Sequence, residues 1–253
     1  MSIHKLGRVR GHRKYGLPHM GAFLRSVQLP ALPAAQDWYS SISSWGELLN
    51  NSLSDCTIAT VGHIVLQEST YASTAPLLMT DAEALAGYEA ATGYNPTDPS
   101  TDQGAYEGDI GAHWLHQGFQ CGGEIDKIVG FADVDVRNLA DVKYSIFLTG
   151  NAFLGVSLPA CAESGSTWEM PTTTAGAKIL GGHAIPAVGY DENWIYVVSW
   201  GQLIPVSWAF FQAYCDEVHV TLSHRWQHST GLTPAGFDWS TLIAATRTFS
   251  SAT

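Results

Sequence analysis

Residues 56–69 place Ile58, Val61 and Val65 at helical spacing among small residues, which predicts a helix starting at Cys56 and ending near Ser69. Ser54 and Asp55, just ahead of it, are good N-cap residues. Thr80-Asp-Ala-Glu83 is a capping box heading a second, surface helix that Gly93 can close. A third helix is predicted over 105–118, with Ile110, Trp114 and Leu115 apolar, and a fourth over 139–148. Strand material runs over 125–136, broken at Gly130, and residues 152–158 predict a buried strand. Two further β-type runs, 183–190 and 194–200, are joined by Asp191, Glu192 and Asn193 and read as a hairpin. Residues 206–216 return to the helical period, with Trp208, Phe210, Phe211 and Tyr214 as a core stripe. A last strand over 218–222 and a short amphipathic helix from about residue 239 complete the pattern. Helices early and strands late give an α+β architecture.

Three stretches carry no such period. Residues 1–36 mix basic residues, histidines and glycines with Pro18, Pro30 and Pro33, a composition for an extended arm with one short helical or strand turn at 21–27. Asp37-Trp38-Tyr39 then opens a domain spanning 37–253. Residues 95–104 form a turn-rich loop, in which turn chemistry explains Asp98 and Asp102 better than cation binding does. Residues 164–176 are polar and flexible, carry Trp168, and are expected to overhang a cleft.

Composition adds a folded body with an uneven charge. Of 253 residues, 45% are hydrophobic and 14% charged, against the composition of a disordered chain. Nine Trp and ten Tyr also fit a surface partly covered by another subunit. The net charge is −11, yet Lys5, Arg8, Arg10, Arg13, Lys14 and Arg25 lie in 1–36 without one acidic residue. The other six basic residues face all 23 acidic ones, net −17, over 37–253. The arm is therefore expected on an acidic surface, either the protein's own body or a protein partner or second copy. Nucleic acid is an unlikely partner, because the acidic body would repel it. The N-terminus lacks an apolar core of about 7 to 15 residues, and no run nears the roughly 20 residues of a membrane span, so synthesis in a reducing cytoplasm is expected.

The candidate chemistry starts from a lone thiol. Cys56, Cys121, Cys161 and Cys215 include no C-x-x-C pair and suggest neither a disulfide framework nor a zinc site. Cys56 in the first turn of a helix faces the positive end of the macrodipole, which favours the thiolate, whereas Asp55 beside it opposes a second anion. The site thus calls for a cation, and His183 in Gly-Gly-His-Ala-Ile-Pro-Ala-Val-Gly-Tyr-Asp is the candidate. The hairpin would bring Ser199, in Ser-Trp-Gly, beside that imidazole. His63, seven residues beyond Cys56, is about 10.5 Å away along the axis and reads as structural. His113 and His116 lack a third ligand, and no metal or other cofactor is expected.

Asn-x5-Cys opening a helix, then Gly-His-Ala-x3-Val-Gly-Tyr, then a strand ending in Ser-Trp-Gly, resembles the papain-like cysteine peptidases in this chain order. It is similar in particular to uncharacterised bacterial and phage proteins of that superfamily that begin with a basic Lys-Leu-Gly-Arg arm. The resemblance implies a two-lobed α+β fold, its N-terminal catalytic helix packed on a C-terminal antiparallel sheet, acting as a thiol hydrolase on a peptide-like substrate. It further implies Cys56 as nucleophile, His183 as base and Asn50 where the family has its oxyanion-hole glutamine. Val198 and Ser199 compete to orient the imidazole, and only Ser199 carries an acceptor. By position, Asp102, Gln103, Gly104 and Trp200 border the substrate cleft. The alternative is a non-catalytic papain-like module, such as a component of a phage particle anchored to neighbouring subunits by its basic arm.

Overall fold

The computed structural model describes residues 4–11, 17–72 and 75–250. Arg13 and Lys14 of the arm lie outside the described residues. Seven strands build one antiparallel sheet. Its main path runs β4 (Ile128–Asp133), β9 (Cys215–Ser223), β5 (Ala152–Pro159), β6 (Ile179–Tyr190), β7 (Trp194–Ser199) and β8 (Gln202–Ser207). The short β1 (Gln36–Asp37) pairs with the end of β6. A separate hairpin joins β2 (Phe119–Cys121) to β3 (Glu124–Asp126). The run 125–136 thus divides at Lys127 between two sheets, and Gly130 lies inside β4, where the ladder slips one residue after Ile128.

Because successive side chains of a strand point to opposite faces, each central strand feeds two cores. On one face Phe153 of β5, Phe131 of β4 and Ala184 of β6 pack under α2 (Cys56–Tyr71), α3 (Asp81–Thr92) and α4 (Glu107–His116). On the other, Leu154, Val156 and Ile185 join the larger core with α1 (Met20–Leu24), α5 (Leu139–Thr149), α6 (Trp208–Tyr214) and α7 (Trp239–Ser250). This is an α+β fold with its early helix on an antiparallel sheet. Fourteen of the sixteen residues of α2 are buried, which explains why its sequence is apolar on every side rather than striped.

Local rules account for most of the boundaries. The Thr80 capping box forms, and Gly93 closes α3 in the left-handed conformation at φ 76°. Gly150 closes α5 in the same way, at φ 90°. Three expectations need correction. The helical period over 206–216 covers only α6, since Ser207 caps it and Cys215 and Asp216 already belong to β9. The strand β8 was hidden because Pro205 interrupts its apolar alternation. Trp168 is 1% exposed and is tied through backbone bonds Trp168 N to Pro205 O and Ser207 N to Trp168 O, so residues 164–176 are pinned by a core tryptophan rather than overhanging loosely.

Candidate active site

Cys56 is the first residue of α2, and Asp55 stands at its N-cap. The Asp55 side chain makes no capping bond; it instead accepts from Asn50 Nδ2 at 3.5 Å. The backbone N–H of Ala184 in β6 donates to Cys56 Sγ at 3.4 Å. His183, the residue before Ala184, is thereby brought to the head of α2 although 127 positions separate it from Cys56 in the sequence. Its Nε2 lies 2.8 Å from Ser199 Oγ, and its Nδ1 has no hydrogen-bond partner. Val198 points elsewhere, into a cluster with Trp45, Leu66 and Val188.

Trp200 covers the imidazole, stacking at 4.7 Å between ring centroids and 17° between planes. It occupies the first central position of a two-residue turn in which Ser199 pairs with Gln202. Both central residues have positive φ, 48° at Trp200 and 72° at Gly201, as a type I′ hairpin requires. A tryptophan in the left-handed region is strained, and here the strain aims its ring at His183.

Three of the sequence-derived residues sit nearby in other roles. Asn50 is buried, and Asp55 takes one of its two amide hydrogens. Asp102 accepts from Ser54 N at 3.0 Å and from Tyr88 Oη at 2.9 Å, which locks the 95–104 loop against the start of α2. Gly104, at φ 73°, lines the groove directly, whereas Gln103 is exposed and bonds Ser100 O within its own turn. His63 is a structural residue that meets Gly46 O at 3.0 Å. Among the described residues no group of three or more His, Cys, Asp or Glu side chains is placed to hold a metal ion.

The groove is occupied by the chain's own N-terminus. Gly7 N–H reaches Cys56 Sγ, Arg8 N donates to Gly182 O at 3.1 Å, and Gly7 O and Val9 N pair with the Ala105 backbone at 2.8 and 2.9 Å. His4 stacks on Trp200 at 4.2 Å, and Lys5 Nζ lies 3.4 Å from Asp102. Glycines make this approach feasible. A Cβ on Gly104 would lie 1.8 Å from Gly7 O, one on Gly182 would lie 2.2 Å from Arg8 O, and one on Gly7 itself would lie 1.8 Å from Ser54 O. The arm therefore lies on the protein's own body, the first of the two surfaces its charge suggested.

Arg8 is the most buried charged residue of the arm among the described residues. Its guanidinium meets Glu107 at 3.0 Å and also Asp216 and Glu217, and it lies against the bare backbone of Gly155. His219 stands behind, 3.4 Å from Glu107 and 2.9 Å from Asp133. Sequence reading missed this pocket, because its residues come from four separate segments and share no motif; the charge imbalance between arm and body was the available signal.

Burial sets the site's protonation. Desolvation pushes the Cys56 thiol up to about 12, overriding the helix-dipole effect expected from its position. Burial, then the neighbouring His4, takes His183 down to about 3. The pair is thus held as neutral thiol and neutral imidazole. Burial also lifts the Asp55 carboxyl to about 8, so at neutral pH it is largely protonated and the anion expected beside Cys56 is absent.

No protein-family model matches the chain, and no curated protein matches it by sequence. Solved structures do. Xylellain, a cysteine protease from Xylella fastidiosa, superposes with a TM-score of 0.66 at 14% identity over 88% of this chain and 97% of that one. The procathepsin B S9 of Trypanosoma congolense gives 0.60 at 9% identity over 87% and 86%. Bromelain of Ananas comosus, in complex with the inhibitor E64, gives 0.56 at 16% identity over 76% and 100%. The chain has the fold of the papain-like cysteine proteases.

Proposed function

We propose that the chain is a papain-like thiol peptidase, held closed in this conformation by its own residues 4–11. The observation that carries this reading is the arm itself. An extended peptide fits between Ala105 and Gly182, pairs with both walls through its backbone, and passes within hydrogen-bond reach of Cys56 Sγ.

With the arm lifted, water returns and the penalty on charge falls. Cys56 would then ionise at the positive end of α2, with its proton taken by His183 Nδ1 while Ser199 holds Nε2. The thiolate attacks a peptide carbonyl. The Cys56 backbone N–H and the second amide hydrogen of Asn50 stabilise the oxyanion, and imidazolium then protonates the leaving amine. Trp200 caps the imidazole, and Asp102 with Gly104 shapes the facing wall.

The second reading, a non-catalytic module, is favoured by the complete burial of Cys56 and His183. Its version as a phage-particle component anchored to neighbours is weakened, because residues 4–11 are spent on this chain's own cleft. Hydrolysis of a fluorogenic peptide amide by full-length Gly7→Val, in which the new Cβ collides with Ser54 O, separates the two. The peptidase reading expects turnover that Cys56→Ala in the same background abolishes. A folded, opened protein without turnover favours the module.

A further inference from the structure

The Arg225–Asp126–Trp114 group is a closed structural network, with Trp114 Nε1 donating to Asp126 at 2.7 Å. Buried Glu68 is engaged by Asn151. The Arg8 pocket differs from both, because what fills it is a residue of a separable arm.

Four observations bear on that pocket. Arg8 is the residue next to Gly7, whose N–H reaches Cys56 Sγ, and Arg8 itself is bonded to Gly182 on the cleft wall, so the pocket is in register with the reactive sulfur. Three carboxylates, Glu107, Asp216 and Glu217, converge on one guanidinium. Gly155 supplies no side chain, and a Cβ there would lie 2.4 Å from Arg8 Cζ, so the floor is shaped for a flat, long side chain. Asp216 and Glu217 also border a cavity of about 790 Å³, which they line together with Arg10 and Gly11 of the arm.

With the arm withdrawn, these carboxylates face one another without a cation. Ser157 Oγ donates to Asp216 at 2.7 Å, and His219 contacts Glu107, which fixes the two acids in place but leaves the group short of positive charge. An apolar side chain entering there would leave buried acids unpaired, and an acidic one would add repulsion. An arginine restores the charge-assisted pairing with the three carboxylates that Arg8 makes.

We infer that Glu107, Asp216 and Glu217 form the specificity pocket of the cleft, and that the pocket selects peptides carrying an arginine one residue away from the carbonyl presented to Cys56. The arm closes the cleft by offering the same side chain. This assignment rests on the peptidase reading for its consequence in catalysis, but not for its consequence in binding.

The test uses the full-length chain carrying Gly7→Val and Arg8→Ala, so that the arm neither fits nor competes. Acyl-Xaa-Gly-aminomethylcoumarin substrates, and internally quenched peptides with Gly-Xaa across the cleaved bond in the order found in the arm, are compared with Xaa as arginine, leucine or glutamate. The expected result is kcat/KM for arginine at least about tenfold above leucine, with glutamate lowest. Glu217→Arg in the same background should collapse that ratio.

Binding is read in parallel, by anisotropy of labelled Lys-Leu-Gly-Arg-Val-Arg on the same chain with Cys56→Ala, against the peptide with leucine in place of its first arginine. Cleavage without an arginine preference overturns the pocket assignment and leaves the peptidase reading standing. Arginine-dependent binding without any cleavage supports the pocket and overturns the peptidase reading. Peptide binding that is absent, or indifferent to the arginine, overturns the pocket assignment.

Discussion

Replacing Gly7 with valine is the smallest change that reports on the closed state. Gly7 lies against Ser54, whose backbone oxygen would be 1.8 Å from the new Cβ, whereas ordinary contact lies at 3.4–4 Å. Ser54 cannot yield easily, because Asp102 holds its N–H and α2 begins two residues later. The arm must therefore leave. What it gives up includes three backbone hydrogen bonds, to Gly182 O and to both sides of Ala105. At about 1 kcal/mol each, these alone favour the closed form by about 3 kcal/mol and hold the open form below about 1%. Labelling of Cys56 through that open form is slowed in proportion. Opening also removes the burial that pushes the thiol up to about 12. The assay is iodoacetamide alkylation at pH 7.5, followed by mass spectrometry of each cysteine-containing peptide. The partly exposed Cys161 serves as internal reference. Gly7→Val should raise the Cys56 rate relative to Cys161 by about 100-fold or more, the inverse of that open fraction. A folded Gly7→Val protein with an unchanged ratio would refute the claim that residues 4–11 close the site.

Three further changes test other parts of the account. Asp55 is protonated in the fold up to about pH 8, while in the unfolded chain it loses its proton near the usual carboxylate value. Its contribution is thus complete in acid and is lost as pH rises toward 8, by at most about 1.4 kcal/mol per pH unit. Urea melts of Asp55→Asn should show a flatter pH dependence and greater stability than the wild type at pH 8; an unaltered slope counts against a buried neutral carboxyl. Ser199→Ala in the Gly7→Val background leaves His183 Nε2 without its partner and should lower kcat by about 5- to 150-fold, from about 1 to 3 kcal/mol of orphaned polar group, with KM little changed. Trp168→Ala should cost about 3 to 5 kcal/mol in denaturant unfolding, as for a core aromatic, where an overhanging loop residue would cost almost nothing.

The candidate residues were legible because chemistry ties each to a short pattern. Cys56 follows cap residues at the start of a helical period, and His183 and Ser199 flank a hairpin whose turn residues are explicit. That His183 reaches α2 follows from the hairpin only once the fold is known, and the neighbour of Cys56 Sγ proves to be the Ala184 N–H. What escaped was set by contacts that leave no local trace. Arg8, Glu107, Gly155 and Glu217 come together only in three dimensions, so charge imbalance gave the surface without giving the residues. Asp216 was hidden by the aromatic helix before it, although backbone pairing of Cys215 with Val156 claims this stretch for the sheet. The expected low pKa of Cys56 fails because complete burial outweighs the helix dipole.

The central claim is that Cys56 and His183 form a working acyl-transfer pair once the arm is displaced. The most direct measurement is rapid acid quenching of Gly7→Val during turnover of an acyl-Arg-Gly-aminomethylcoumarin substrate, with mass spectrometry of the peptide containing Cys56. The account predicts an acyl adduct on Cys56, formed as coumarin is released and lost when His183→Ala is introduced. A folded protein that leaves Cys56 open to iodoacetamide yet forms no adduct and releases no coumarin would contradict it.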